Sequence, residues 1–176
     1  VKTLTEKNPN PYDGEPLYNL GLSLKYQGKT DEAYDCFYKA CWNAAWQDAG
    51  YYSLAQLSAS KGNWEDALYE IDKSLLRNWH NLRGRHLKAI VLRHLGRVDE
   101  ALSLIRESLA IDRFNFGCSF EEYLLTGEKA VLDDLLVRMR SEGHNYEELS
   151  LDYASAGCFE EALKVVEAAF EGVVSE

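Results

Sequence analysis

One six-residue phrase recurs four times along this chain, and its spacing limits the fold more than any other feature. It reads Gly28-Lys-Thr-Asp-Glu-Ala33, Gly62-Asn-Trp-Glu-Asp-Ala67, Gly96-Arg-Val-Asp-Glu-Ala101 and Gly157-Cys-Phe-Glu-Glu-Ala162. The first three glycines stand 34 residues apart (62 − 28 and 96 − 62), and the fourth follows after 61, or 34 plus 27. A fixed period of this length is the mark of a stacked repeat architecture. Each part of the phrase has a mechanical role. Glycine ends one helix because it enters the left-handed region without a Cβ penalty. The acidic pair falls in the first turn of the next helix, where carboxylates complement unpaired amides and the positive end of the dipole. Alanine follows where two helices must approach closely.

The remainder of each unit keeps the same register. Seven residues before each glycine stands a small residue: Gly21, Ala55, Ala89 or Ser150. Four residues after each alanine comes an apolar one: Phe37, Ile71, Ile105 or Val166. Seven after it comes another small one: Ala40, Ser74, Ser108 or Ala169. First helices are expected near 15–27, 48–61, 82–95 and 145–156, and second helices near 31–43, 64–77, 98–111 and 159–171. The only prolines are Pro9, Pro11 and Pro16, so everything beyond Pro16 is free to be helical.

This pattern resembles the tetratricopeptide repeat family, whose unit is a 34-residue helix–turn–helix. The resemblance implies an all-α, right-handed solenoid of antiparallel helix pairs. Repeats fall at 14–47, 48–81, 82–115 and 143–176, after a lead-in segment over 1–13. Residues 116–142 lack the phrase and read as a shortened, degenerate helical pair. There Ser119 is a candidate cap, and Ala130, Val131, Leu132, Leu135, Leu136 and Met139 lie largely along one side of a helix over 128–140. Two family positions are altered. Arg85 stands where an aromatic or apolar opener is usual, and the closing proline is replaced by Ala45, Trp79 and Arg113.

The resemblance also implies a concave face built from first-helix positions. These are Glu15, Tyr18, Leu22, Lys25 and Tyr26 in the first unit, and Ala49, Tyr52, Gln56, Ala59 and Ser60 in the second. The third unit gives Arg83, His86, Ile90, Arg93 and His94. The last gives His144, Glu147, Leu151, Ala154 and Ser155. A protein or peptide ligand is therefore expected, on a groove centred on Tyr18, Leu22, Lys25, Tyr26, Tyr52, Gln56, Arg83, His86, Ile90, Arg93 and His94. Chaperone-binding members of the family hold a carboxylate with a Lys/Asn/Arg clamp. Its places here are taken by Tyr18, Leu22, Ser53, Arg83 and Leu87, of which Arg83 alone fits, so a heat-shock-protein tail is not the expected ligand.

Charge narrows the ligand class. The formal net charge is −10, which disfavours a nucleic-acid partner. From Lys73 to Val98 there is no acid, yet seven of the 19 basic residues lie there, leaving 12 against 29 acids (−17) elsewhere. The stretch is expected either to meet an acidic peptide or a chain-terminal carboxylate at the third unit, beside Tyr18 and Tyr52, or to pair with acids of neighbouring repeats, such as Asp99 and Glu100 or those of the acidic second helices. No phosphate loop, H-E-x-x-H or G-x-S-x-G motif occurs. His86 and His94, roughly 12 Å apart along a helix, are poorly placed for one metal ion, and no cofactor is expected. Cys36, Cys41, Cys118 and Cys158 form no C-x-x-C pair and suit a reducing, cytoplasmic setting, with a periplasmic one the alternative should a signal lie upstream.

No apolar run is long enough for a membrane span. The chain opens on Val1 and its one methionine is Met139, which reads as a piece of a longer chain or a processed form. The sequence also resembles, more loosely, the repeat region of large bacterial proteins that carry an uncharacterised amino-terminal domain and are associated with carbohydrate breakdown. That resemblance implies an accessory or oligomerisation segment. The final helix carries apolar residues on more than one side, including Phe170, Val173 and Val174, so self-association through it is expected.

Overall fold

The computed structural model describes residues 13–139 and 142–174, with side chains through 170. The described residues form ten α-helices and one short 3-10 turn, with no strand among them. The helices are α1 Gly14–Tyr26, α2 Thr30–Ala40, α3 Gln47–Ser60, α4 Trp64–Arg77 and α5 Leu82–His94. They continue as α6 Val98–Ile111, α7 Phe116–Thr126, α8 Lys129–Met139, α9 Gly143–Ser155 and α10 Phe159–Val174. Consecutive helices pack as antiparallel hairpins, and α2, α4 and α6 each also pack against the first helix of the next pair. Among the described residues, no helix is long and apolar enough to cross a membrane.

The turns follow from the repeated glycine. Gly28, Gly62, Gly96 and Gly157 have φ of 74°, 77°, 71° and 80°. Each sits in the same double cap. In the first, the Lys29 amide donates to the Leu24 carbonyl at 3.0 Å and the Gly28 amide to that of Lys25 at 3.0 Å. The same two bonds recur from Asn63 and Gly62, from Arg97 and Gly96, and from Cys158 and Gly157. This six-to-one, five-to-two pattern satisfies carbonyls that a helix end leaves open. A fifth glycine, Gly127, has φ 69° and closes α7 through one bond to the Tyr123 carbonyl at 2.8 Å.

Two expected boundaries shift. The second helix of the first unit stops at Ala40, not near residue 43, and a 3-10 turn over Ala44–Trp46 follows, capped by the Asn43 side chain. The degenerate stretch holds two full helices. Helix α7 starts at Phe116 and is capped by Asn115, whose side chain accepts from the Cys118 amide at 3.2 Å; Ser119 lies inside the helix. In α8, Leu135 and Met139 are buried, while Ala130 is exposed.

Two apolar clusters hold the stack. The smaller joins Leu24, Ala33, Phe37, Cys41, Leu54 and Leu57. The larger runs from Ala55 through Ile71, Ile90 and Ile105 to Leu135, Tyr153 and Val165. The alanine of the phrase is fully buried in the first three units, at Ala33, Ala67 and Ala101.

Candidate functional site

First helices of successive pairs touch one another: α3 meets α5, and α5 meets α7. On this side the third unit and the last helix pair meet. Helix α9 lies against α3, and its residues reach α5 and α7. Asp152 is bound by Arg83 through Nε at 3.0 Å and through Nη2, across 69 positions of sequence. Nδ1 of His86 is 4.0 Å from the same carboxylate. The next residue of α9, Tyr153, is fully buried. It packs edge-on to His86 at 4.9 Å and to Phe120 at 5.7 Å, and its hydroxyl donates to Glu121 Oε1 at 2.8 Å.

Glu121 is itself fully buried, and Arg93 answers its charge from Nε at 2.8 Å. Arg93 Nη2 also reaches Glu161 of α10 at 2.9 Å. Burial opposes the charge on Arg93, but the carboxylates of Glu121 and Glu161 outweigh it and hold the guanidinium firmly protonated. At the end of α5 the His94 ring stacks on Trp64 at 3.9 Å, and its Nε2 is 3.4 Å from Cys158 Sγ. Burial, then the charge of Arg93, lowers the His94 pKa. Burial pushes the Cys41, Cys118 and Cys158 thiols up to about 12, far from nucleophilic thiolate.

The basic stretch is thus largely engaged within the chain. Arg83 and Arg93 pair with Asp152 of α9, Glu121 of α7 and Glu161 of α10; of these, sequence reasoning pointed only to the acidic second helices, of which α10 is one. Lys88 pairs with Asp72 at 2.7 Å and Arg97 with Glu100 at 2.7 Å, both of the neighbouring-helix kind it expected. His86 and Ile90 are buried, at 3% and 1% exposure, so neither is open to a ligand in this arrangement.

The other six predicted groove residues come from α1 and α3. Tyr18 is half-buried between Phe37 at 5.4 Å and Trp46 at 5.0 Å. Lys25 Nζ donates to Gln56 Oε1 at 2.7 Å, and Gln56 Nε2 donates to the Tyr52 hydroxyl at 3.1 Å. Leu22 is half-buried, and Tyr26 is 87% exposed. Burial first, then the charge of Arg83, lowers the Lys25 pKa, with Asp152 opposing. Burial raises that of Tyr52, so its phenol stays neutral and able to donate.

Where α9 meets α5 a cleft of about 240 Å³ remains, lined by Arg83, His86, Phe114, Phe116, Glu148 and Asp152 among others. Helices α5 and α7 come so close there that a Cβ on Gly117 would lie 2.3 Å from the His86 ring. Asp152 lies beside a predicted inner position, Leu151. The missed signal was the surplus of arginines on α5, which demanded acids from somewhere along the chain.

No family model matches the chain. Solved structures do. A tetratricopeptide repeat protein from Parabacteroides merdae aligns at 19% identity over 97% of this chain and 70% of its own, with a TM-score of 0.67. YrrB, described as a TPR protein with an unusual peptide-binding site, aligns at 18% over 97% and 90%, with a TM-score of 0.62. The first TPR of Spaghetti (RPAP3), bound to the HSP90 peptide SRMEEVD, aligns at 18% over 69% and 96%, with a TM-score of 0.61. The fold is that of the tetratricopeptide solenoids.

Proposed function

We propose that residues 14–176 act as one non-catalytic scaffold that binds a protein or peptide, and that the first two units supply the groove. The observation that carries this is the unequal use of the inner face. Arg83, His86 and Arg93 are engaged by the chain's own last repeat, whereas Tyr26 is 87% exposed and Tyr18, Leu22 and Tyr52 are only half-buried. Tyrosines of this kind supply large amphipathic contact area at low entropic cost.

An acidic segment fits best. Burial first, and then the charge of Arg83, disfavour the ammonium form of Lys25, with Asp152 acting the other way. A ligand carboxylate beside Nζ relieves both. Two of the similar solved structures are described with peptide binding, which supports the class of function. The heat-shock tail itself is not proposed, because Arg83 alone survives from that clamp and is tied to Asp152.

The test is selection from a random peptide library displayed on phage. The reading expects enriched sequences to carry Asp or Glu beside an aromatic or aliphatic residue. Binding is expected to fall roughly tenfold or more in Lys25→Glu and in Tyr52→Ala. Failure to enrich any peptide, or enriched peptides indifferent to both changes, removes the reading.

A second reading, an accessory segment of a larger bacterial enzyme-like protein, is compatible with the same groove, which would then receive a neighbouring domain.

A further inference from the structure

We infer that α10 carries a second interaction surface, and that its occupant is a basic amphipathic helix of another protein, seated as α5 is seated on α4. The surface is a stripe. Phe159, Leu163, Val166 and Phe170 are exposed by 70%, 58%, 37% and 67%. Their 4-3-4 spacing places them within roughly 60° of one another around the helix. The repeat register identifies what is missing. Counted from the turn glycine, Leu163, Val166 and Phe170 correspond to Leu68, Ile71 and Leu75 of α4. Those three are exposed by only 8%, 0% and 2%. Ala162 and Ala169 correspond to Ala67 and Ser74, both fully buried, yet are themselves only partly covered.

In the interior of the stack, α5 packs on α4. Gly84 sits where a Cβ would be 3.1 Å from Leu75, so the two helices approach closely at that residue. Leu87 and Val91, three and seven positions on, are buried in the same apolar cluster as Leu68, Ile71 and Leu75. Lys88, four positions on, bonds Asp72 at 2.7 Å. The residue of α10 that corresponds to Asp72 is Glu167, which is exposed. The open face therefore repeats the α4 side of this joint, with a large apolar residue at Phe170 and an acid at Glu167. Its complement is a helix with a small residue over Phe170, apolar residues three and seven further on, and a Lys or Arg at the fourth.

Neither obvious part of a second copy satisfies this. Helix α1 presents Pro16, Asn19 and Ser23 at the places of Gly84, Leu87 and Val91, so it lacks both the apolar pair and the small residue. A second α10 laid antiparallel places Glu160, Lys164 and Glu167 of each copy along a shared edge with an acidic excess. Laid parallel, it faces Glu167 with the Ala162 and Ala169 edge, which holds no cation. Helix α5 has the right residues, but in every copy it is buried inside the stack. The charge and register of the open face are matched instead by a basic helix from outside the described residues, which we take to be a partner's.

The probe is a synthetic peptide of residues 80–97, which contains the α5 sequence and no acid. Titrated by fluorescence anisotropy against the whole chain, it is expected to bind saturably. Phe170→Glu should weaken binding roughly tenfold or more through loss of apolar contact. Glu167→Lys should weaken it about threefold, as an exposed pair allows. The peptide carrying Lys88→Glu should recover that loss on the Glu167→Lys protein and on no other. Both positions are exposed, and helicity of each variant is checked by circular dichroism. Absence of binding, binding indifferent to Phe170→Glu, or failure of the charge swap overturns the proposal. So does a concentration-dependent dimer, seen by light scattering, that Phe170→Glu dissolves and that excludes the peptide.

Discussion

Arg85 and Trp79 are the two residues of the second and third units that depart most from the tetratricopeptide pattern, and they depart together. Trp79 replaces a closing proline and Arg85 replaces an apolar opener. In the fold the Arg85 guanidinium lies 4.4 Å from the Trp79 ring centroid. Its Nε donates to Ser108 Oγ at 2.7 Å, its Nη1 to the Trp79 carbonyl at 3.3 Å, and its Nη2 is 3.5 Å from Glu107. The side chain is fully buried. A charge so placed is tolerated only because ring, hydroxyl, carbonyl and carboxylate surround it. Arg85→Ala is expected to cost about 3 kcal/mol, and Trp79→Ala about 1–2 kcal/mol. The double variant should cost less than the sum, because the residues share one interaction. Strict additivity in urea melts would separate them. Asp152 offers a pH test at the same scale. Burial resists its ionisation, but neighbouring His86 and Arg83 overcome that and lower its pKa below the ordinary 3.8. Its stabilising contribution is then complete above the unfolded-state value and disappears as pH falls through the lower folded-state value. Asp152→Asn should therefore lower stability at pH 7 and flatten the loss of stability below about pH 4. Parallel stability curves for the two proteins through that range would contradict the assigned pairing.

The elements show where sequence was legible and where it was not. The glycine phrase carried the helix ends well: α5 begins at Leu82, and α4 and α6 match the predicted spans. It did so because the phrase is local chemistry, a left-handed turn followed by acids at a helix start. The cap of α7 was misplaced because Asn115 and Ser119 are both good cap residues, four positions apart. The fold uses Asn115 and turns the Ser119 hydroxyl back to the Asn115 carbonyl at 3.4 Å. The seating of α9 on the inner face of α5 had no local signal, since Arg83 and Asp152 are 69 positions apart. The turn glycines now separate these levels. At Gly62 nothing lies within 4 Å of an added Cβ, whereas at Gly157 it would stand 2.8 Å from the Ser60 backbone. Gly62→Ala should cost about 1 kcal/mol from the left-handed backbone alone. Gly157→Ala should cost distinctly more and loosen α9 from α3. Equal melting temperatures for the two variants would mean that the last repeat is not seated there.

At the scale of the whole molecule, the array is a stack that uses part of its own concave face. The Glu121–Arg93–Glu161 chain and the Tyr153 hydroxyl tie α7, α5, α10 and α9 into one buried polar network. Networks of this kind hold a unique arrangement when every member is satisfied. The inner side of the third unit is thereby engaged within the chain, and the proposed groove falls to the tyrosines and Lys25 of the first two units. Hydrogen–deuterium exchange with a library-selected acidic peptide tests this division directly. The account predicts slowed exchange in residues 14–26 and 47–60 on binding, with 82–94 and 143–155 unchanged. Protection of 82–94 accompanied by faster exchange in 143–155 would mean that the ligand displaces the last repeat from α5, and would contradict the account.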